Sequence, residues 1–187
     1  RQFFKDAIQS PLGIRLADAP EMERMYAIKI RASAQTIYDE LGKFGQTGSR
    51  FLRLRFVNVR RIKGEANQVG AVVRYAAIIL PISMDISLVR TVANKSLLYS
   101  PQELFTKNGV LLFDISPTKD GNSRLVIYTA FDFRTGKTWP GKIGFGLLKL
   151  AFPDFAHDVV WNHAVCTIKA MAEQSEGAAP LKSGASI

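Results

Sequence analysis

The residues whose side chains could bind a metal, or act as base and nucleophile, are the two histidines, His157 and His163, and the single cysteine, Cys166. His157 and His163 stand six positions apart on a helical pattern, about 120° apart around the axis, so they do not share one ion. His163 and Cys166 face the same way, but no further ligands accompany them, and no metal or other cofactor is expected. Covalent catalysis needs a nucleophile held against a base. No GxSxG elbow is present, and nothing in the sequence around Cys166 marks it as an activated thiol. Asp114 and Asp132 fall opposite the apolar residues of their strand-like runs, which does not make a working carboxylate pair. Gly141, Gly144 and Gly146 neither follow a strand nor open a helix at dinucleotide spacing, and read as a turn. Arg90 is different, because alternation points it inward with Met84, Ile86 and Leu88. An unpaired guanidinium there would want an internal acid or the acidic head of a ligand, unless a bulge or strand end turns it to solvent. His157, on the inward edge near the helix start, and the hydroxyls of Tyr75 and Tyr99 could likewise touch or orient a ligand from an apolar interior.

Positioning such groups falls to a few elements. Residues 25–31 alternate Tyr26, Ile28 and Ile30 with Lys29 and Arg31, a period-two strand. Ser33 can cap a helix running to about Leu41, since its hydroxyl can accept from the free amides of the first turn. Gly42, Gly45 and Gly48 then break the chain. β-rich runs follow at 55–63, 69–80, 83–93, 96–100, 109–116 and 124–134, with Asp120-Gly121 as a hairpin turn. No helix separates them, so the sheet should be an antiparallel meander. In the last run Leu125, Ile127, Thr129, Phe131 and Phe133 share one face, with Arg124, Tyr128, Asp132 and Arg134 mostly on the other. One face is expected to be covered and the other wet. The same parity turns Leu111, Phe113 and Ile115 inward, together with Met84, Ile86, Leu88 and Val92, and with Val73, Tyr75 and Ile79 opposite an outward Arg74. From Pro153 the pattern becomes a helix to about Gln174. His157, Val160, Trp161, Ala164, Val165, Ile168, Met171 and Ala172 share its apolar face, for which the inner face of the sheet is the obvious acceptor. Residues 1–24 read as an extension packed outside the domain of 25–174, and 175–187 as a flexible tail.

A chain of 187 residues with 47% hydrophobic and 22% charged residues has the composition of one globular domain, not of a disordered, collagenous or coiled-coil protein. Its longest uncharged stretches, 75–84 and 159–168, fall short of the roughly 20 apolar residues of a membrane-spanning helix. One cysteine allows no internal disulfide and no cysteine-built zinc or iron–sulfur site. The 25 Lys and Arg against 16 Asp and Glu give a net charge of +9, which favours anionic partners. Within residues 50–63, Arg50, Arg53, Arg55, Arg60, Arg61 and Lys63 occur without an acid, either as a solvated face or as a transient contact with an anionic membrane surface. A nucleic-acid site is not the reading here, because the run carries no recognised motif and its alternation splits the charges between two faces.

Three passages carry a wider likeness: IKIRASAQTIYDEL (28–41), where a strand runs straight into a capped helix; LLFDISPTKDGNSRLVIYTAFDF (111–133), a hairpin; and FPDFAHDVVWNHAVCTIKAMAE (152–173), a long amphipathic helix. Their order resembles the α+β helix-grip fold of the START and Bet v 1-like superfamily, a curved antiparallel sheet wrapped around a carboxy-terminal helix with two short helices after the first strand. The GKFGQTG segment (42–48) departs from the denser glycine loop of the plant members. What the resemblance implies is a cavity between sheet and helix for a lipid, sterol, isoprenoid or polyketide. Tyr75, Met84, Ile86, Leu88, Arg90 and Tyr99 would line it from the early strands, and Phe113, Phe131, Phe133, His157, Trp161, Val165 and Ile168 from the later strands and the helix. A noncatalytic carrier is the leading expectation. A polyketide cyclase or aromatase using His157, Tyr75 or Arg90, and a co-chaperone-like interaction module with a collapsed cavity, are its rivals. The segments before Arg50 and at 139–146 are the candidate lids.

Overall fold

The structure, a computed structural model, describes residues 20–52, 57–77, 83–101, 106–133 and 154–178. Seven strands and two helices occur among them, in the order β1 (Met22–Ile30), α1 (Ala34–Gly42), β2 (Val57–Lys63), β3 (Val72–Ala77), β4 (Ser83–Val92), β5 (Ser96–Pro101), β6 (Thr106–Pro117), β7 (Ser123–Phe133) and α2 (Asp154–Ala178). The strands form one antiparallel sheet ordered β1-β7-β6-β5-β4-β3-β2. This is the expected meander, with β1 closing onto β7 from Met22 opposite Phe131 to Ile30 opposite Ser123. Short connections favour it, since antiparallel neighbours can be joined by tight turns. In the β6–β7 turn Thr118 N donates to Asn122 O at 2.8 Å, and Gly121 takes a φ of 75° that costs glycine little.

Helix α1 begins as its sequence indicates, with Ser33 Oγ accepting from Thr36 N at 3.1 Å. Helix α2 lies across the inner face of the sheet. Its Trp161, Ala164, Val165, Ile168 and Ala172 are buried in one core with Ile30, Leu97, Phe113, Ile115, Leu125 and Ile127. The helix-grip expectation is therefore met by the stripe and the strand parity that suggested it.

Four local expectations are corrected. β1 starts at Met22, not residue 25, and Met22 is buried. One helix, not two, follows β1 among the described residues; after α1 the chain turns repeatedly to Leu52. Residues 175–178 belong to α2 rather than to a tail, because Glu176 accepts from Ser33 N at 3.2 Å and also from the Thr36 hydroxyl, while Ser175 Oγ donates to Glu40 Oε1 at 2.6 Å. The outer face of the sheet is not simply wet, since Leu98, Val110, Leu112, Tyr128 and Ala130 form a second buried apolar cluster there, with Val89 against it. Residues 1–19 and 134–153, with the candidate lid at 139–146 and its glycines, lie outside the described residues, as do Ile79, Arg53 and Arg55.

Candidate functional site

The inner face gathers most of the residues singled out by the sequence. Ile86, Leu88, Tyr99 and Phe113 are buried there from β4, β5 and β6, Trp161, Val165 and Ile168 from α2, and Tyr75 and Met84 pack on them half-buried. Phe113 is the hub, with ring centroids 6.0 Å from Phe51 and Tyr99 and 6.4 Å from Trp161. These contacts are edge-to-face, which sets the positive ring edge against the negative ring face.

Phe44 and Phe51 belong to this cluster too, and periodicity did not reveal them. Both lie in the turns after α1, yet are 1% and 2% exposed. Phe44 inserts between two tyrosines, 5.7 Å from Tyr75 and 5.6 Å from Tyr99. The available signal was large apolar residues, Phe44, Phe51 and Leu52, in a segment whose glycines mark it as loop; loops carry such residues when they fold inward. This segment, expected to be a movable lid, is fastened. Arg61 Nη2 donates to Phe44 O at 3.0 Å and to Gly42 O, and Arg61 N donates to Gly45 O at 2.6 Å. Gly45 has a φ of 71°, and a Cβ there would lie 2.6 Å from Arg61 N, so only glycine allows the approach. Arg61 is thus bound to carbonyl oxygens at the end of α1, while Arg50, Arg60 and Lys63 are exposed.

Arg90 is not inside. The β4–β5 register slips between Leu88 and Arg90, so that Leu88 faces Tyr99 and Arg90 faces Leu98 of the outer cluster. This bulge inserts one residue and reverses the parity beyond it, leaving Arg90 exposed. Thr91, not Val92, then turns inward, its hydroxyl 2.6 Å from that of Tyr38. Phe131 and Phe133 lie along β7 beyond the main cluster, half-buried and edge-to-face at 5.3 Å. His157 falls within α2, but its side chain is outside the described residues. His163 is exposed, with Nε2 3.4 Å from Thr167 Oγ1, and Cys166 is exposed. No three His, Cys, Asp or Glu side chains among the described residues are grouped to hold a metal.

The chemistry left inside is phenolic. The Tyr75 hydroxyl is buried and has no hydrogen-bond partner among the described residues. Burial pushes the Tyr75 phenol well above its usual pKa, with Tyr99 adding to the rise, and burial likewise pushes the Tyr99 phenol up against the opposing charge of Arg61. Both therefore stay protonated at neutral pH. A separate groove of about 370 Å³ opens between α1 and α2, lined among others by Glu40, Lys43, Arg50, Met171 and Ser175. Its buried acid is already answered, as Glu40 Oε1 accepts from Lys43 Nζ at 2.5 Å and from Ser175 Oγ at 2.6 Å.

No family model and no curated protein matches the chain. Solved structures do resemble it. A protein from Chromobacterium violaceum is 12% identical over 81% of this chain and 97% of its own, with a TM-score of 0.57. A START superfamily protein from Mycobacterium smegmatis is 13% identical over 82% and 98%, with a TM-score of 0.53. The Aha1 dimer from Colwellia psychrerythraea is 13% identical over 81% and 96%, with a TM-score of 0.52. At these identities the likeness is one of fold.

Proposed function

We propose that this chain, with its START/Bet v 1-like helix-grip fold, binds a hydrophobic small molecule between the sheet and α2. The observation that supports this best is the convergence of Tyr75, Tyr99, Phe113 and Trp161, from three strands and a helix, on one aromatic volume with a hydroxyl at its depth. Apolar burial supplies most of the affinity, at roughly 25 cal/mol per Å² before ordering costs. Among the described residues of the basic run at 50–63, the exposed Arg50, Arg60 and Lys63 are cations for transient contact with an anionic membrane during loading. Lipid extraction of the purified protein followed by mass spectrometry tests the reading: a stoichiometric apolar compound is expected, and a protein that neither carries one nor takes up added lipid, sterol or polyketide overturns it.

One rival has an observation in its favour. Phe44 and Phe51 fill part of the volume themselves, as a protein-interaction module with a collapsed interior would require. A salt-sensitive complex with an acidic protein, formed by a chain that takes up no small molecule, is its signature. The cyclase reading is weakened by the outward Arg90, since Arg61, the described cation whose charge reaches the Tyr99 phenol, has its Nη2 committed to the carbonyls of Gly42 and Phe44.

A further inference from the structure

The geometry points to Tyr75 as the polar anchor of the interior: its hydroxyl donates to an uncharged oxygen acceptor, such as a ketone, ester or ether, carried by the apolar guest. This rests on the ligand-binding reading and gives it a chemical class. Register on β3 sets Tyr75 between Val59 and Met84, so its strand neighbours are apolar. Its ring packs edge-on against Phe44, and the hydroxyl beyond it is sealed from solvent with no hydrogen-bond partner among the described residues. The other orphaned atom found among the described residues, Asn67 Oδ1, belongs to an amide already tethered through Nδ2 to Tyr38 O at 3.1 Å, in the β2–β3 loop. Among the described residues, Tyr75 is thus the side chain that brings a fully sealed polar atom without a hydrogen-bond partner to the inner face. A buried hydroxyl without a partner burdens the fold, and the neighbouring rings of Phe44, Phe51 and Phe113 carry none.

The phenol acts as donor rather than anion, because the same burial that isolates it holds its proton in place. A charged guest is disfavoured for a related reason. The nearby cation, Arg61, commits its Nη2 to two main-chain carbonyls, and a carboxylate would lose its hydration without gaining a free guanidinium fork.

Two probes of matched shape, 2-acetylnaphthalene and 2-ethylnaphthalene, differ chiefly by one carbonyl oxygen. Wild-type protein should bind the ketone about tenfold more tightly, the usual scale of one hydrogen bond made by an otherwise unpaired buried group. Tyr75→Phe should abolish that preference, the ketone then binding no more tightly than 2-ethylnaphthalene because its carbonyl is buried without a donor. The ligand-free variant should melt no lower than wild type. A lower melting temperature would mean that the hydroxyl is satisfied inside the ligand-free fold, by structural water, and would overturn the anchor. Equal affinities of wild type for the two probes would overturn it too, while leaving the ligand-binding reading in place; failure to bind either naphthalene counts against that reading itself. Tighter binding of 2-naphthoate than of the ketone at pH 7 would overturn the uncharged class.

Discussion

Tyr128 and Tyr75 are both tyrosines whose hydroxyls point away from bulk water on this sheet, but they lie on opposite faces and differ in what those hydroxyls meet. In the outer cluster Tyr128 Oη donates to Glu23 at 2.8 Å, and nearby Asp132 accepts from Glu21 N at 3.2 Å and from Asn108 Nδ2 at 3.1 Å. On the inner face Tyr75 Oη has no hydrogen-bond partner among the described residues. On the outer face the Tyr128 hydroxyl and the Asp132 carboxylate are answered from within the chain. The inner face has the packing of a core but keeps one sealed hydroxyl, that of Tyr75, without a partner among the described residues.

The contrast can be broken or sharpened by experiment. The largest effect belongs to the hub of the inner face: Phe113→Ala removes a fully buried ring and should cost about 3–5 kcal/mol in chemical denaturation. A cost below about 1 kcal/mol would mean that the inner face is already hollow around Phe113. Tyr128→Phe should cost about 1–2 kcal/mol by the same measurement, because Glu23 loses a donor. Acid should act next, at the end of α2. The Arg31 backbone amide, with the side chains of Arg31 and Lys169, holds the Glu173 carboxyl below its usual pKa. A carboxyl lowered on folding stabilises above its unfolded value and loses that contribution as pH falls through the folded value. Unfolding midpoints should therefore drop on acidification below about pH 4.5, and Glu173→Gln should flatten part of that slope. The smallest effect is expected for Tyr75→Phe, within about 0.5 kcal/mol of wild type or slightly stabilising, against the clear loss for Tyr128→Phe. If the two variants lose equal stability, the two faces do not differ in the way described.

Much of this arrangement was legible in local pattern. Leu111, Phe113 and Ile115 on β6 and Leu125 and Ile127 on β7 turn inward as their alternation says, and the stripe from Trp161 to Ala172 is the stripe that is buried. Ser33 caps α1, and Asp120-Gly121 turns the hairpin. What escaped depends on partners distant in sequence. The slip at Arg90 exists only in register with β5, and it moves Val92 as well. Phe44 and Phe51 follow no period because they sit in turns, and Phe44 is held by Arg61 reaching back to the carbonyls of Gly42 and Phe44. The end of α2 looked like tail because the segment beyond it is rich in Gly, Ala and Ser and has no periodicity; Glu173 and Glu176 hold it through the backbone of Arg31 and through Ser33.

Taken alone, the order of residues determined which side chains share a face, because a strand repeats every two residues and a helix every 3.6, and both periods are local. Tertiary structure decided which faces were closed and which hydroxyl was left over. A bulge, an inserted loop ring or a hydrogen bond across the sheet is set by the partner strand, and one residue of slip sends a side chain from the interior to solvent.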